Sequence, residues 1–180
     1  MRKIVLAALV MGLASCSTVD PEGGPPMSLV NAAGQSIGTV RAWQTPGGVT
    51  FRIDAGGLPH GVHGIHVHAV GRCDAPDFTS AGPHWNPTTR KHGLNNPEGP
   101  HAGDLRNVDV AANGVLGETV TLSGASLTAP PGTSGALLDA DGATLVIHAQ
   151  ADDYVTDPSG NSGERIACAV LQPTPQILGR

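Results

Sequence analysis

The sequence predicts an all-β chain: eight short strands in a flattened Greek-key barrel or sandwich, with one long histidine-bearing loop and a second loop before the last strand. Three observations point there. The 180 residues hold 25 Gly and 15 Pro but only two Trp, two Phe and one Tyr, a composition of many turns around a Val, Leu, Ile and Ala core. Several runs alternate apolar and polar residues with the period of a strand that has two different faces. No stretch of helical period is long enough to count, and no internal repeat is present. The length fits about one domain.

Residues 1–16 read as a secretion leader. Met1-Arg2-Lys3 is followed by a short apolar run that ends Leu13-Ala14-Ser15-Cys16. The run is too short for a resident bilayer helix. Its end resembles the lipobox of bacterial lipoproteins, in which the cysteine is acylated and becomes the new N-terminus. Each buried CH2 of such an anchor contributes about 0.8 kcal/mol. An ordinary cut near Ser15 would instead leave Cys16 as a free thiol. Ser17 after the cysteine resembles the outer-membrane sorting pattern, which predicts the periplasmic side of a bacterial envelope. Residues 17–26 (S-T-V-D-P-E-G-G-P-P) read as a flexible tether, and 27–180 as the folded domain.

The strands then follow in order. Ser28–Asn31 and Ile37–Trp43 flank a turn at Ala33-Gly34-Gln35, and Thr45-Pro46-Gly47-Gly48 turns into Val49–Asp54. His63–Val70 is next. Leu105–Val110 and Val115–Leu122 flank an Asn113-Gly114 hairpin turn of the kind that needs positive φ. A Ser/Gly/Pro-rich connection leads to Ala143–His148, and Arg165–Leu171 is the last strand.

Seven of the eight histidines lie between His60 and His101. Histidine is the commonest metal ligand, so this crowding points to metal chemistry. In Gly64–Val70, parity places His66 and His68 on one face, with Ile65 and Val67 on the other facing the core. His63 has the core parity and reads as structural, its ring satisfied by backbone groups. His60, in a Pro-His-Gly turn, reads as exposed. The loop that follows carries His84-x7-His92-x8-His101-x2-Asp104, three nitrogens and one carboxylate, a closed four-coordinate set that suits zinc. This loop is too dense in Gly and Pro for a helix or central strand, so a metal is the economical means of holding it. His148 ends an apolar run. With His66, His68 and the second nitrogen of His84 it offers four imidazoles, a set that favours Cu(II).

The motifs G-V-H-G-I-H-V-H (61–68), C-D-A-P-D-F-T-S-A-G-P-H-W-N-P (73–87), K-H-G (91–93), H-A-G-D-L-R-N (101–107), V-I-H-A-Q-A-D-D-Y (146–154) and G-E-R-I-A-C-A-V (163–170) stand in this order. Together they resemble the copper,zinc superoxide dismutase family of the bacterial periplasmic kind, over about residues 27 to 172. The resemblance implies copper at His66, His68, His84 and His148. It implies zinc at His84, His92, His101 and Asp104, with His84 bridging the two. Asp152 matches the aspartate that links His66 to His92. Arg165 matches the arginine that holds the anion beside copper, and Cys73 and Cys168 match the family's intrasubunit disulfide. An exported chain would oxidise such a pair. The implied reaction is dismutation of superoxide, with His84 and Arg165 as the catalytic side chains.

The chain carries a formal charge of −5, and without Arg2 and Lys3 of the leader 8 basic residues face 15 acidic ones, a net −7. That balance offers no footprint for nucleic acid, and the only expected membrane contact is the N-terminal lipid. A negative body repels superoxide at long range, so attraction has to be local, within a Debye length of about 8 Å. Copper, zinc and Arg165 would supply it. Arg72 is a second candidate, or an exposed loop arginine of no consequence. The sequence leaves monomer and homodimer open. It also leaves a non-catalytic copper/zinc-binding envelope lipoprotein as the alternative.

Overall fold

Val49, Phe51 and Ile53 alternate along one strand, and all three are fully buried. This alternation builds the architecture of the computed structural model, which describes residues 24–128 and 135–171. The leader, Cys16 and most of the tether lie outside the described residues, as do 129–134 and 172–180. Nine strands are present: β1 (Met27–Asn31), β2 (Ser36–Thr45), β3 (Gly48–Ala55), β4 (Gly61–His63), β5 (Ile65–His68), β6 (Val108–Val110), β7 (Leu116–Ser123), β8 (Ala143–His148) and β9 (Arg165–Leu171). A single 3-10 turn, Thr79–Ala81, is the only helical element among the described residues. No described helix is long and apolar enough to cross a membrane.

Seven strands form one curled antiparallel sheet in the order β5-β8-β9-β1-β2-β3-β7, and β4 pairs with β6 apart from it. The all-β class and the two long loops therefore stand as predicted, while the strand count differs. The expected His63–Val70 strand is two strands, because the chain changes sheet at Gly64. There the Gly64 amide donates to Gln150 and its carbonyl accepts the His148 amide. A Cβ at Gly64 would sit 2.8 Å from Cβ of Ser162, so only glycine permits the crossing.

The Asn113-Gly114 turn is tight, with Gly114 at φ 77. It joins no hairpin, because β6 pairs with β4 and β7 with β3. The turn follows its local chemistry, but longer-range packing decides sheet membership.

β8 is buried on both faces. Leu145 and Ile147 enter the main core, while Val146 packs with Phe78, Ala81 and Cys168 in a smaller one. Each such side chain contributes about 1.5–3 kcal/mol on burial. The smaller core exists because the segment 71–82 folds back over the sheet, where the Cys73–Cys168 disulfide holds it to β9 across a separation of 95 residues.

Candidate metal centre

The face of β5 away from the main core carries His66 and His68, opposite Val146 and Thr144 of β8. A register irregularity between Ile147 and His148 ends β8 beside Arg165 of β9. The long loop is sewn to β5 by its backbone. Trp85 donates to Val67 O at 2.8 Å, Val67 to Gly103 O at 2.9 Å and Gly103 to Trp85 O at 2.8 Å. This three-way closure brings His84 and Asp104 onto β5. It requires glycine at 103, where a Cβ would lie 2.3 Å from Val67 O.

His66, His68, His84 and His148 converge, each offering one ring nitrogen within 4.8 Å of the others. Those of His66 (Nδ1), His68, His84 and His148 (Nε2) are buried with no hydrogen-bond partner. Leaving four such atoms unpaired is costly unless something binds them. The opposite nitrogens set the tautomers: His66 Nε2–H donates to Asp152 Oδ2 at 2.8 Å, and His68 Nδ1–H to Gly82 O at 2.8 Å. His148 Nδ1–H reaches Gly163 O at 3.2 Å. Burial, then the neighbouring His84, lowers the His68 pKa to about 2. Burial, then His66, lowers His148 to about 3. In His84 burial outweighs the bond to Asp104 and brings it to about 4, and in His66 it outweighs the bond to Asp152. All four are neutral at pH 7 with lone pairs free, the state a metal requires.

The second set centres on Asp104 Oδ1. His84 Nδ1 lies 3.0 Å away, His92 Nδ1 3.1 Å and His101 Nδ1 3.4 Å, and the Nδ1 atoms of His84 and His101 are 3.4 Å apart. A tetrahedron with such edges has its centre about 2 Å from each corner, the length of Zn–N and Zn–O bonds. His66 also falls near this group, but its two nitrogens already face Asp152 and the first set, which leaves His101 Nδ1 as the candidate for the fourth corner. Asp104 Oδ2 accepts the Gly93 and His101 amides at 2.9 and 3.0 Å. Burial alone would raise the Asp104 pKa, yet bonds from His101, His84 and His92 hold it well below the carboxylate range. His92 moves the other way. Burial pulls its pKa down, but hydrogen bonds to Asp104 and Asp152 prevail and raise it to about 9.

Two residues join the sets. His84 presents one nitrogen to each. Asp152 takes the ring N–H of His66 on Oδ2 and, at 3.0 Å, that of His92 on Oδ1. Asp152 is held in turn by its amide to Asn107 Oδ1 at 2.9 Å and by the Tyr154 amide at 2.6 Å. Asn107 and Tyr154 were not singled out in the sequence, although both lie inside the quoted motifs. Gly160 was missed too, and it packs directly on Asp152.

The first set opens to a cavity of about 1200 Å³ whose lining includes His68, His84, His148 and Arg165. Arg165 is half-buried; its Nη1 donates to Phe78 O at 2.6 Å and its Nη2 to Gly82 O at 2.8 Å. Burial lowers its pKa, but an arginine stays charged at any working pH. Phe78 sits at φ 54, which a bulky residue rarely adopts.

Arg72 does not line this cavity. It pairs with Asp74 in an exposed ion pair, whereas Arg90 and Lys91 do line the cavity. His63 is structural as expected, its ring on His148 O and Pro59 O at 2.8 and 2.9 Å. His60 is exposed, with one nitrogen on Val110 O at 2.8 Å.

The family profile described as copper/zinc superoxide dismutase (SODC) matches residues 36–171. The chain is 43% identical over 145 residues to "Superoxide dismutase [Cu-Zn] 1" of Aquifex aeolicus, covering 80% of this chain and 85% of that protein. It is 41% identical to "Superoxide dismutase [Cu-Zn]" of Caulobacter vibrioides over 77% of this chain and 80% of that one. The crystal structure of a SOD-like protein from Bacillus subtilis superposes with a TM-score of 0.78 at 42% identity, over 83% of this chain and 99% of that one. With the profile spanning most of the length and the histidine sets in place, the chain belongs to the copper/zinc superoxide dismutase family.

Proposed function

We propose that this protein converts two superoxide anions and two protons to dioxygen and hydrogen peroxide. In this reading His66, His68, His84 and His148 hold copper, and His84, His92, His101 and Asp104 hold zinc. The observation that carries it is the convergence of four buried, unpartnered imidazole nitrogens on one point. When bound, copper supplies a one-electron couple for the two half-reactions, and zinc adds charge and fixed geometry.

The chain's own residues supply the rest. His68 and His148 are locked in one tautomer by Gly82 O and Gly163 O, so their lone pairs need no rearrangement. His84 Nε2 faces the first set while Nδ1 stays beside Asp104. It can therefore take up and return a proton at Nε2 without losing its place. Arg165, fixed through the Phe78 and Gly82 carbonyls, places a permanent positive charge at the cavity wall for the substrate anion.

A second reading, metal holding without turnover, draws on the relative named SOD-like. The place of Arg165 beside His148 favours the enzyme. His84→Ala should impair uptake of both metals and abolish turnover, while His60→Ala leaves both unchanged. Undiminished copper and zinc in His84→Ala would overturn the shared-ligand assignment.

The same reading covers the address. Residues 1–16 serve as an export leader, Cys16 as the lipidation site, 17–26 as the tether and 27–180 as the catalytic domain. Bacterial relatives and an oxidised Cys73–Cys168 pair support export. Mass spectrometry of the mature N-terminus tests it, and an unmodified N-terminus beyond residue 16 would contradict it.

A further inference from the structure

A histidine that ligates a metal through one nitrogen almost always donates the other ring N–H to a carboxylate, a carbonyl or water, which fixes its tautomer and raises its basicity. Five of the six histidines here have both nitrogens accounted for. Asp152 serves His66 and His92, Gly82 O serves His68 and Gly163 O serves His148. The nitrogens of His84 face the two sets.

His101 is the remaining one. Its Nδ1 belongs to the Asp104 cluster, while its Nε2 makes no hydrogen bond among the described residues and faces Asp157 Oδ1 at 3.9 Å. Both side chains line the same open cavity.

Asp157 is already fastened to the metal loop. Its Oδ1 accepts the His92 amide at 2.7 Å, and its Oδ2 lies 3.9 Å from Lys91 Nζ. A carboxylate oxygen has a second lone pair to offer, so the bond to His92 does not exhaust Oδ1. At 3.9 Å the pair is too far apart for a hydrogen bond, and an approach of about 1 Å closes it. The carboxylate is exposed and its residue belongs to the 149–164 loop, so such a shift disturbs no core packing.

We infer that Asp157 is a positioning residue for the zinc set, accepting the Nε2–H of His101 and thereby presenting Nδ1 of that ring to the metal. The inference rests on the zinc assignment proposed above. Asp157 clasps the 149–164 loop to the metal loop and does for His101 what Asp152 does for His92.

The test is titration of the metal-free mature protein with Zn2+ alone and with Co2+ alone, in wild type and Asp157→Asn. Asparagine keeps an oxygen for the His92 amide and removes the charge offered to His101. Zinc affinity should fall about 10–100-fold in the variant, and the visible bands of the cobalt form should shift. In the proton spectrum of the cobalt form, the exchangeable ring N–H of His101 should move while that of His92 stays. Wild-type affinity and bands in Asp157→Asn would overturn the inference. So would a loss of affinity with the His101 resonance unmoved, which would place the effect in the bond to the His92 backbone. A wild-type protein that takes up neither ion would instead refute the zinc assignment itself.

Discussion

His68 and Arg165 donate to one and the same atom. The Nδ1–H of His68 and an Nη2–H of Arg165 both end on Gly82 O, each at 2.8 Å. A proposed copper ligand and the proposed anion-binding arginine thus share one backbone anchor. That anchor lies on a segment pinned to β9 by the Cys73–Cys168 disulfide.

Arg165 should tolerate no conservative exchange. Lysine carries a point charge that cannot fork onto the Phe78 and Gly82 carbonyls. Arg165→Lys is expected to lower the second-order rate with superoxide about tenfold, equivalent to about 1.4 kcal/mol, with both metals retained. Arg165→Glu should fall further, since it turns attraction into repulsion. Pulse radiolysis with metal analysis checks both. A wild-type rate for Arg165→Glu at full metal content would remove the anchoring role.

Cutting the disulfide should cost stability and rate separately. The bridge closes a long loop across 95 residues, and removing a native bridge of this kind costs about 2–5 kcal/mol. The double variant Cys73→Ser, Cys168→Ser should lose that much in urea unfolding. Well below its midpoint, where it stays folded, its rate should still drop because the Gly82 and Phe78 carbonyls are no longer held. An unchanged rate there would show that the segment needs no clamp.

Gly160 should be required by contact as well as by conformation. A Cβ there, at φ +62, would lie 1.7 Å from Asp152 Oδ1 and 2.8 Å from His92 Nε2. Gly160→Ala is expected to displace Asp152 and weaken zinc binding about 10–100-fold. Gly34→Ala is the control. It shares the positive φ but meets nothing within 4 Å, so it should cost only about 1–2 kcal/mol and leave zinc affinity alone. Equal zinc affinities in the two variants would contradict the contact argument.

The proposed ligand histidines are legible because their information is local. Alternation put His66 and His68 on one face, and spacing in a Gly/Pro-dense loop grouped His84, His92, His101 and Asp104. What stayed hidden has no residue-type signature. The carbonyls of Phe78 and Gly82 are chosen by chain path, so no pattern of side chains announces them as the partners of Arg165. The need for glycine at the Gly64 sheet change comes from Ser162 packing against it, nearly one hundred residues away in sequence. Arg72 stays open in the sequence between a steering charge and an inconsequential loop arginine, and its exposed pairing with Asp74 favours the second. Asn107 and Tyr154 matter through one aspartate, and that link appears only when Asp152 is placed between His66 and His92.

At the heart of the proposed function is a histidine-bridged copper–zinc centre that turns over superoxide. It is tested most directly by measuring metal content and superoxide dismutation on the same purified sample of the mature domain, loaded with both metals. One copper and one zinc per chain are expected, with rapid turnover that tracks copper occupancy. Zinc uptake alone under copper-replete conditions, or full occupancy of both metals without turnover, would contradict it.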